Sequence, residues 1–272
     1  MGKDTTTDGT SGNITALKAL PLDVPLKITA AEEAFLAEAT GISDHDELFK
    51  HITEVQIEAY TSIHPFGTDL RKVARDGYPV DALVGLEVEE NFINLGYLLF
   101  RDTRTSPFTP RQLLHNIFSA PRSEPADCQE HSATRFPDAS NLASLGQLGR
   151  SARAIHAASL FHLFDRDTQK YLARRIAGLL VLREGSTIFG SQYAAKTEGS
   201  VIETVSGGGA KVYAHSPESW KRLWEDVLEG YEIEVKAELK ELGGGTSLAA
   251  PIKLHEGDQH GHLMIWSVKI LS

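Results

Sequence analysis

The 272-residue sequence predicts an α/β fold: a mostly parallel, Rossmann-like sheet in a three-layer arrangement, closed at its C-terminal end by an antiparallel hairpin. Three observations carry this. Short apolar runs alternate with helical patterns over residues 82–100 and 154–182, the order expected when parallel strands are joined by helices. Two β-runs, Tyr231 to Leu242 and His262 to Leu271, stand close enough in sequence to pair antiparallel. A 41% hydrophobic content in a chain of 29.7 kDa is enough for the core of one large domain.

The elements follow in order. Residues 1–28 are polar and carry Pro21 and Pro25, which predicts a flexible leader; residues 29–272 are then one domain. A helix is expected from Thr29 or Ala30, where strong helix formers follow an early pair of acids. Another starts at Ser43 or Asp44 and extends to Tyr60, although Ile52, Thr53, Val55 and Ile57 also suit a strand. His64-Pro65-Phe66-Gly67 breaks the pattern, and a short helix over Asp69 to Arg75 stops at Gly77 and Pro79. Ala82 to Val88 reads as a strand and Glu89 or Glu90 to Phe100 as its helix. Five prolines between Pro107 and Pro137 mark residues 103–150 as an irregular insertion with one helical turn at Arg111 to Phe118.

Ala154 to Leu160 is the next strand, and Asp165 caps a helix reaching Leu182. Ser186 to Ser191 forms a third strand, and Gly199 to Ala210 a glycine-rich loop. Ser216-Pro217-Glu218 is a strong helix start, combining a side-chain cap, proline at the first helical position and an acid in the first turn. In open α/β sheets ligands bind beyond the carboxyl ends of strands, which directs attention to Glu87, His156 to Phe164 and Gly190 to Tyr193.

Composition excludes several function classes. The 27 basic and 37 acidic residues give a net charge of −10, which repels nucleic-acid backbones and anionic membranes. The single cysteine, Cys128, cannot make an intrachain disulfide or a cysteine-based zinc site, so a reducing, cytoplasmic setting is expected. No apolar run reaches the roughly 20 residues of a membrane span.

Arg75 to Pro79 through Glu87, then Phe92-Ile93-Asn94-Leu95-Gly96-Tyr97 to Arg101, resemble blocks of the fungal S-adenosylmethionine-dependent methyltransferases of secondary metabolism. Ile155 to Phe164 and His215 to Lys221 resemble further blocks, in the family's order. The resemblance implies a class I methyltransferase fold with strand order 3-2-1-4-5-7-6, S-adenosyl-L-methionine as cofactor and a small-molecule substrate methylated on oxygen. By position Glu87 matches the acid that ends the family's second strand and binds the ribose hydroxyls, with Val88 beside it. A carboxylate there can accept two hydrogen bonds from a vicinal diol. Ala158, Ser159 and Leu160 match the block where methyl donor and acceptor meet. Ser159 and His162 are the candidate catalytic groups, His162 as a general base or as a positioning residue. Phe66, Gly67 and Asp69 match only the tail of the family's first cofactor loop.

The family's first strand and the rest of that loop are not recognisable, as if deleted before Phe66. The expectation is that Glu54 to Ile63 is drawn toward the sheet to refill the vacant strand position, because unpaired buried backbone groups cost roughly 1–3 kcal/mol each. The alternative is a cofactor-free relative, a cyclase, an isomerase or an inactive scaffold. Other constellations are weaker. The tract His255 to His262 lacks the spacing of a rigid metal site, so no metal is expected. The triplets Gly207 to Gly209 and Gly243 to Gly245 lack the Lys-Ser/Thr of a phosphate loop, and Ser159 and Ser191 lack a nucleophile elbow.

Overall fold

A computed structural model describes residues 28–60, 67–118, 136–139, 142–203, 211–241, 252–253 and 262–272. Residues 1–27 of the predicted leader, Phe66, Cys128, both glycine triplets and the tract from His255 to His260 lie outside the described residues.

Helix α1 (Ala30–Thr40) opens with a capping box: the Thr29 hydroxyl accepts from the Glu32 amide and the Glu32 carboxylate accepts from the Thr29 amide. Gly41, with φ of 72°, closes it in the left-handed conformation. Helix α2 (His45–Tyr60) places Leu48, Ile52 and Val55 in a cluster with Phe92, Leu95 and Leu99 of α4 (Glu90–Phe100). The 3.6-residue period therefore prevails over the strand alternative, and it overturns the expectation for Glu54 to Ile63. Through Tyr60 this segment is helix, held to α4 by Val55, and it supplies no strand. Residues 61–63 lie outside the described residues.

Between α2 and α4 come the eight-residue α3 (Thr68–Arg75) and strand β1 (Val84–Glu87). β1 pairs in parallel with β2 (Arg111–Leu114), Val84 opposite Arg111 and Glu87 opposite Leu114. β2 replaces the helical turn expected at Arg111 to Phe118. Pro110 ends the preceding irregular stretch, and Leu113 gains a buried place among Ala139, Leu142, Leu145 and Leu148.

The larger sheet has strand order β3-β4-β9-β7. β3 (Ala154–His156) runs parallel to β4 (Thr187–Ala194); β9 (His262–Ile270) is antiparallel to both β4 and β7 (Ile233–Glu241), which gives the expected C-terminal hairpin. A smaller antiparallel ribbon joins β5 (Gly199–Glu203) to β6 (Lys211–Ala214) and β8 (Ile252–Lys253), so the first part of the predicted glycine-rich loop is strand. Two of the three pieces, β2-β1 and β3-β4-β9-β7, match 3-2 and 4-5-7-6 of the order that the resemblance implies. Among the described residues no strand stands between β1 and β3.

Alternation decides the larger sheet's inner face. Ile188, Gln192 and Ala194 of β4 are buried with Met264, Trp266 and Val268 of β9. Helices α5 (Arg166–Ala177) and α6 (Pro217–Val227) cover that face through Leu172, Ile176, Trp220 and Trp224. Asp165 caps α5 by accepting from the Thr168 amide, and α6 starts with the expected Ser216 cap and Pro217. Phe161 fits edge-on between Trp220 and Trp266, at 4.9 and 5.9 Å between ring centres.

Candidate functional site

The candidate residues stand at the carboxyl ends of β1 and β3 and at the start of α3. Glu87 ends β1. Its Oε1 accepts from the amides of Val88 (2.7 Å) and Glu89 (3.1 Å), which leads the chain into α4, and its carbonyl accepts from the His115 amide after β2. Both side-chain bonds fall on one oxygen, so the carboxylate retains acceptor capacity. Val88, the next residue, is exposed.

Beyond β3 the chain turns sharply. Ala157 is buried, its amide donating to the Phe189 carbonyl, whereas Ala158 and Ser159 are exposed. Ser159 takes φ of 51°, a left-handed value that serine adopts at a cost, and a 2.7 Å bond from its amide to the Ser191 carbonyl holds it there. Gly190 makes the turn feasible: a Cβ at that position would collide with the Ala157 carbonyl and approach Trp266 at 3.1 Å. Leu160 then leads into a 3-10 turn over Phe161–Leu163, in which half-buried His162 faces the Tyr193 ring at 6.5 Å.

The start of α3 touches both parts of the sheet. Gly67, with φ of 68°, caps it without a side chain, so the first amides of the helix have no side-chain acceptor from that cap. Leu70 packs over Gly85 of β1, and Asp69 Oδ2 lies 3.8 Å from His156 Nδ1 at the end of β3. His156 in turn stacks on Phe189.

A buried ion pair sets the position of α3. Arg71, 2% exposed, donates from Nε and Nη2 to the two carboxylate oxygens of Asp102 at 2.7 and 2.9 Å. Thr109 donates to the same carboxylate, and the guanidinium lies over the Phe100 ring at 4.6 Å. Sequence reasoning missed Asp102, which follows the left-handed end of α4 at Arg101 and bears no motif.

A second polar group fastens the β5-β6 ribbon to α6. Glu198 accepts from Tyr213 Oη at 2.9 Å and pairs with Arg222 at 2.7 Å. Partial burial would raise the Glu198 pKa, but hydrogen bonds from Tyr213 and Ser219 and the charges of Arg222 and Arg166 lower it overall. Burial, then the bond to Glu198, raises the Tyr213 pKa. His215, 3% exposed, has its pKa lowered to about 4 by burial, with Glu198 opposing and Arg166 and Arg222 adding to the effect. Its Nδ1 is 2.8 Å from Ser219 Oγ. Tyr213 donates its amide to the Phe164 carbonyl, which joins the ribbon to the segment carrying His162.

The structure thus gathers Gly67, Asp69 and His156 at one junction and stations Glu87 and the Ala158–Leu160 turn at strand ends. His262, the one described member of the histidine tract, is buried at the start of β9. Among the described residues no group of histidine, cysteine and acidic side chains is arranged to hold a metal, and no helix is long and apolar enough to cross a membrane.

No protein-family model matches the chain. It is 30% identical over 192 residues to O-methyltransferase phiE of a fungal species, covering 67% of this chain and 56% of that protein. It is 29% identical over 162 residues to the Asnovolin E/Chermesin D methyltransferase nvfJ of Aspergillus novofumigatus, covering 60% and 50%. To the methyltransferase adrK of Penicillium rubens it is 28% identical over 177 residues, covering 64% and 54%. The chain spans about half the length of the curated relatives it matches. A solved DhpI–SAH complex aligns with 88% of this chain and 94% of its own, at 9% identity and a TM-score of 0.39.

Proposed function

We propose that this chain, a relative of fungal secondary-metabolism methyltransferases, is an S-adenosyl-L-methionine-dependent O-methyltransferase acting on a small metabolite in the cytoplasm. The observation that carries the reading is that the start of α3 touches both β1 and β3, strands whose carboxyl ends bear Glu87 and the strained Ser159 turn. The names of the relatives support the reaction class.

The residues present fit the two ends of such a cofactor. Glu87 has a carboxylate oxygen to accept from ribose hydroxyls, with Val88 exposed beside it for the base. At the other end, the amides at the start of α3 suit a carboxylate, aided by the helix dipole, and Gly67 allows close approach. Phe66 would belong to that loop. The turn of Ala158, Ser159 and Leu160, exposed at its first two residues, would border the transfer site.

When bound, the cofactor supplies an electrophilic methyl group on a sulfonium. This chain's part is to orient an acceptor oxygen in line with that methyl and to exclude water. For a hydroxyl acceptor, His162 would take the proton; for a carboxylate it would only position, since that oxygen is already nucleophilic. Ser159 would orient the acceptor through its hydroxyl.

One observation favours the alternative, a cofactor-free relative acting as cyclase, isomerase or scaffold: the missing strand between β1 and β3 among the described residues. Titration calorimetry with S-adenosylmethionine and S-adenosylhomocysteine separates the two. Micromolar binding that Glu87→Ala weakens at least tenfold is the expected result. Absence of binding by folded protein would support the alternative instead.

A further inference from the structure

We propose that the free edge of β7 joins a second copy of this chain, so that two larger sheets continue into one across a two-fold axis at Ala237. β7 is nine residues long and lies at the end of the sheet; among the described residues nothing pairs with its outer side. An edge of that length presents a row of open backbone groups, a ready template for another strand.

The backbone and the charges select the same pairing. Glu232 exchanges backbone hydrogen bonds with Leu271 and Ser272 beyond the end of β9. By the two-residue period, the even-numbered residues of β7 address β9, and the N–H and C=O groups of Ile233, Val235, Ala237, Leu239 and Glu241 point out of the sheet. An antiparallel copy centred on Ala237 puts these groups opposite one another. Glu234, Lys236, Glu238 and Lys240 occupy the face away from the core, and the last three are exposed. In that register Glu234 faces Lys240 of the second copy and Lys236 faces Glu238, four opposite-charge pairs in all by symmetry.

Neighbouring registers fail. A two-residue slip that keeps the backbone groups matched centres the pair on Lys236 or on Glu238. The first sets Lys236 against itself and Glu234 against Glu238; the second sets Glu238 against itself and Lys236 against Lys240. Like charges directly opposite are destabilising, so the sequence of β7 admits the paired register and rejects its neighbours. A strand evolved only to repel other edges has no need of a self-complementary order. Charge order of this kind gives specificity more than strength, so association in the micromolar range is expected.

The test is sedimentation of the full chain up to about 100 μM. Wild type is expected to reach twice its 29.7 kDa mass. The all-acidic strand, Lys236→Glu with Lys240→Glu, and the all-basic strand, Glu234→Lys with Glu238→Lys, should each self-associate at least tenfold more weakly. Mixed in equal amounts they should form a heterodimer. Circular dichroism checks folding, which substitutions on this face should leave intact. A monomeric wild type, variants that dimerise as wild type does, or folded variants that do not associate when mixed would each overturn the proposal.

Discussion

His215 makes stability depend on pH in a way that can be worked from its surroundings. The ring is buried between Tyr213 and Trp220, at 4.9 and 5.3 Å between ring centres, and its Nδ1 meets the Ser219 hydroxyl that completes the cap of α6. Folding lowers its pKa from 6.5 to about 4. Below pH 6.5 the unfolded chain takes up a proton that the folded chain refuses until about pH 4, so acid favours unfolding across that window. The contribution is present in full above pH 6.5 and is lost on the way down to pH 4; at about 1.4 kcal/mol per pH unit it amounts to about 3 kcal/mol. Urea titrations followed by tryptophan fluorescence at steps from pH 7.5 to 4 measure it. His215→Gln should be less stable than wild type at pH 7.5, through lost packing, and should lose the part of the acid dependence that belongs to this ring. If wild type and variant lose stability in parallel between pH 6.5 and 4, the ring is not buried in its neutral form and the reasoning fails.

Asp102→Ala strands the Arg71 guanidinium in the interior and should cost about 3–5 kcal/mol in denaturant titration; adding Arg71→Met should recover a large part. Equal losses in single and double variants would show that the pair does not hold α3. Gly190→Ala pushes a methyl group against the Ala157 carbonyl and should destabilise by about 1–3 kcal/mol, with a lower melting temperature. An unchanged melting curve would mean that the turn after β3 has room to spare.

Elements with local signals were legible in the sequence. Thr29, Asp165 and Ser216 announce their helices because a cap is a contact within four residues. The β7-β9 hairpin is readable because β7 alternates over nine residues and β9 is an apolar run within reach of it. β2 was not: four residues, Arg-Gln-Leu-Leu, carry no period, and only pairing with distant β1 makes them strand. Helix α2 outcompeted the strand reading through Val55, whose value lies in a contact with α4 that no local window contains. At the candidate site the resemblance located Glu87 and the Ala158–Leu160 turn, since both sit in contiguous blocks. The Arg71–Asp102 pair spans 31 positions, and the left-handed backbone of Ser159 falls on a residue type that does not advertise it.

The division of the strands into β1-β2 and β3-β4-β9-β7 bears on how the molecule comes apart. No backbone ladder crosses from one set to the other among the described residues; α3, through Leu70 and Asp69, is a side-chain link. Trp220, Trp224 and Trp266 all belong to the core beneath the four-stranded sheet. Their emission reports the melting of that half, and amide exchange in α2, α4 and β1 tells whether the other half opens with it, as the Arg175–Ile117 bond and the Phe118–Phe164 contact require, or as a separate cooperative unit.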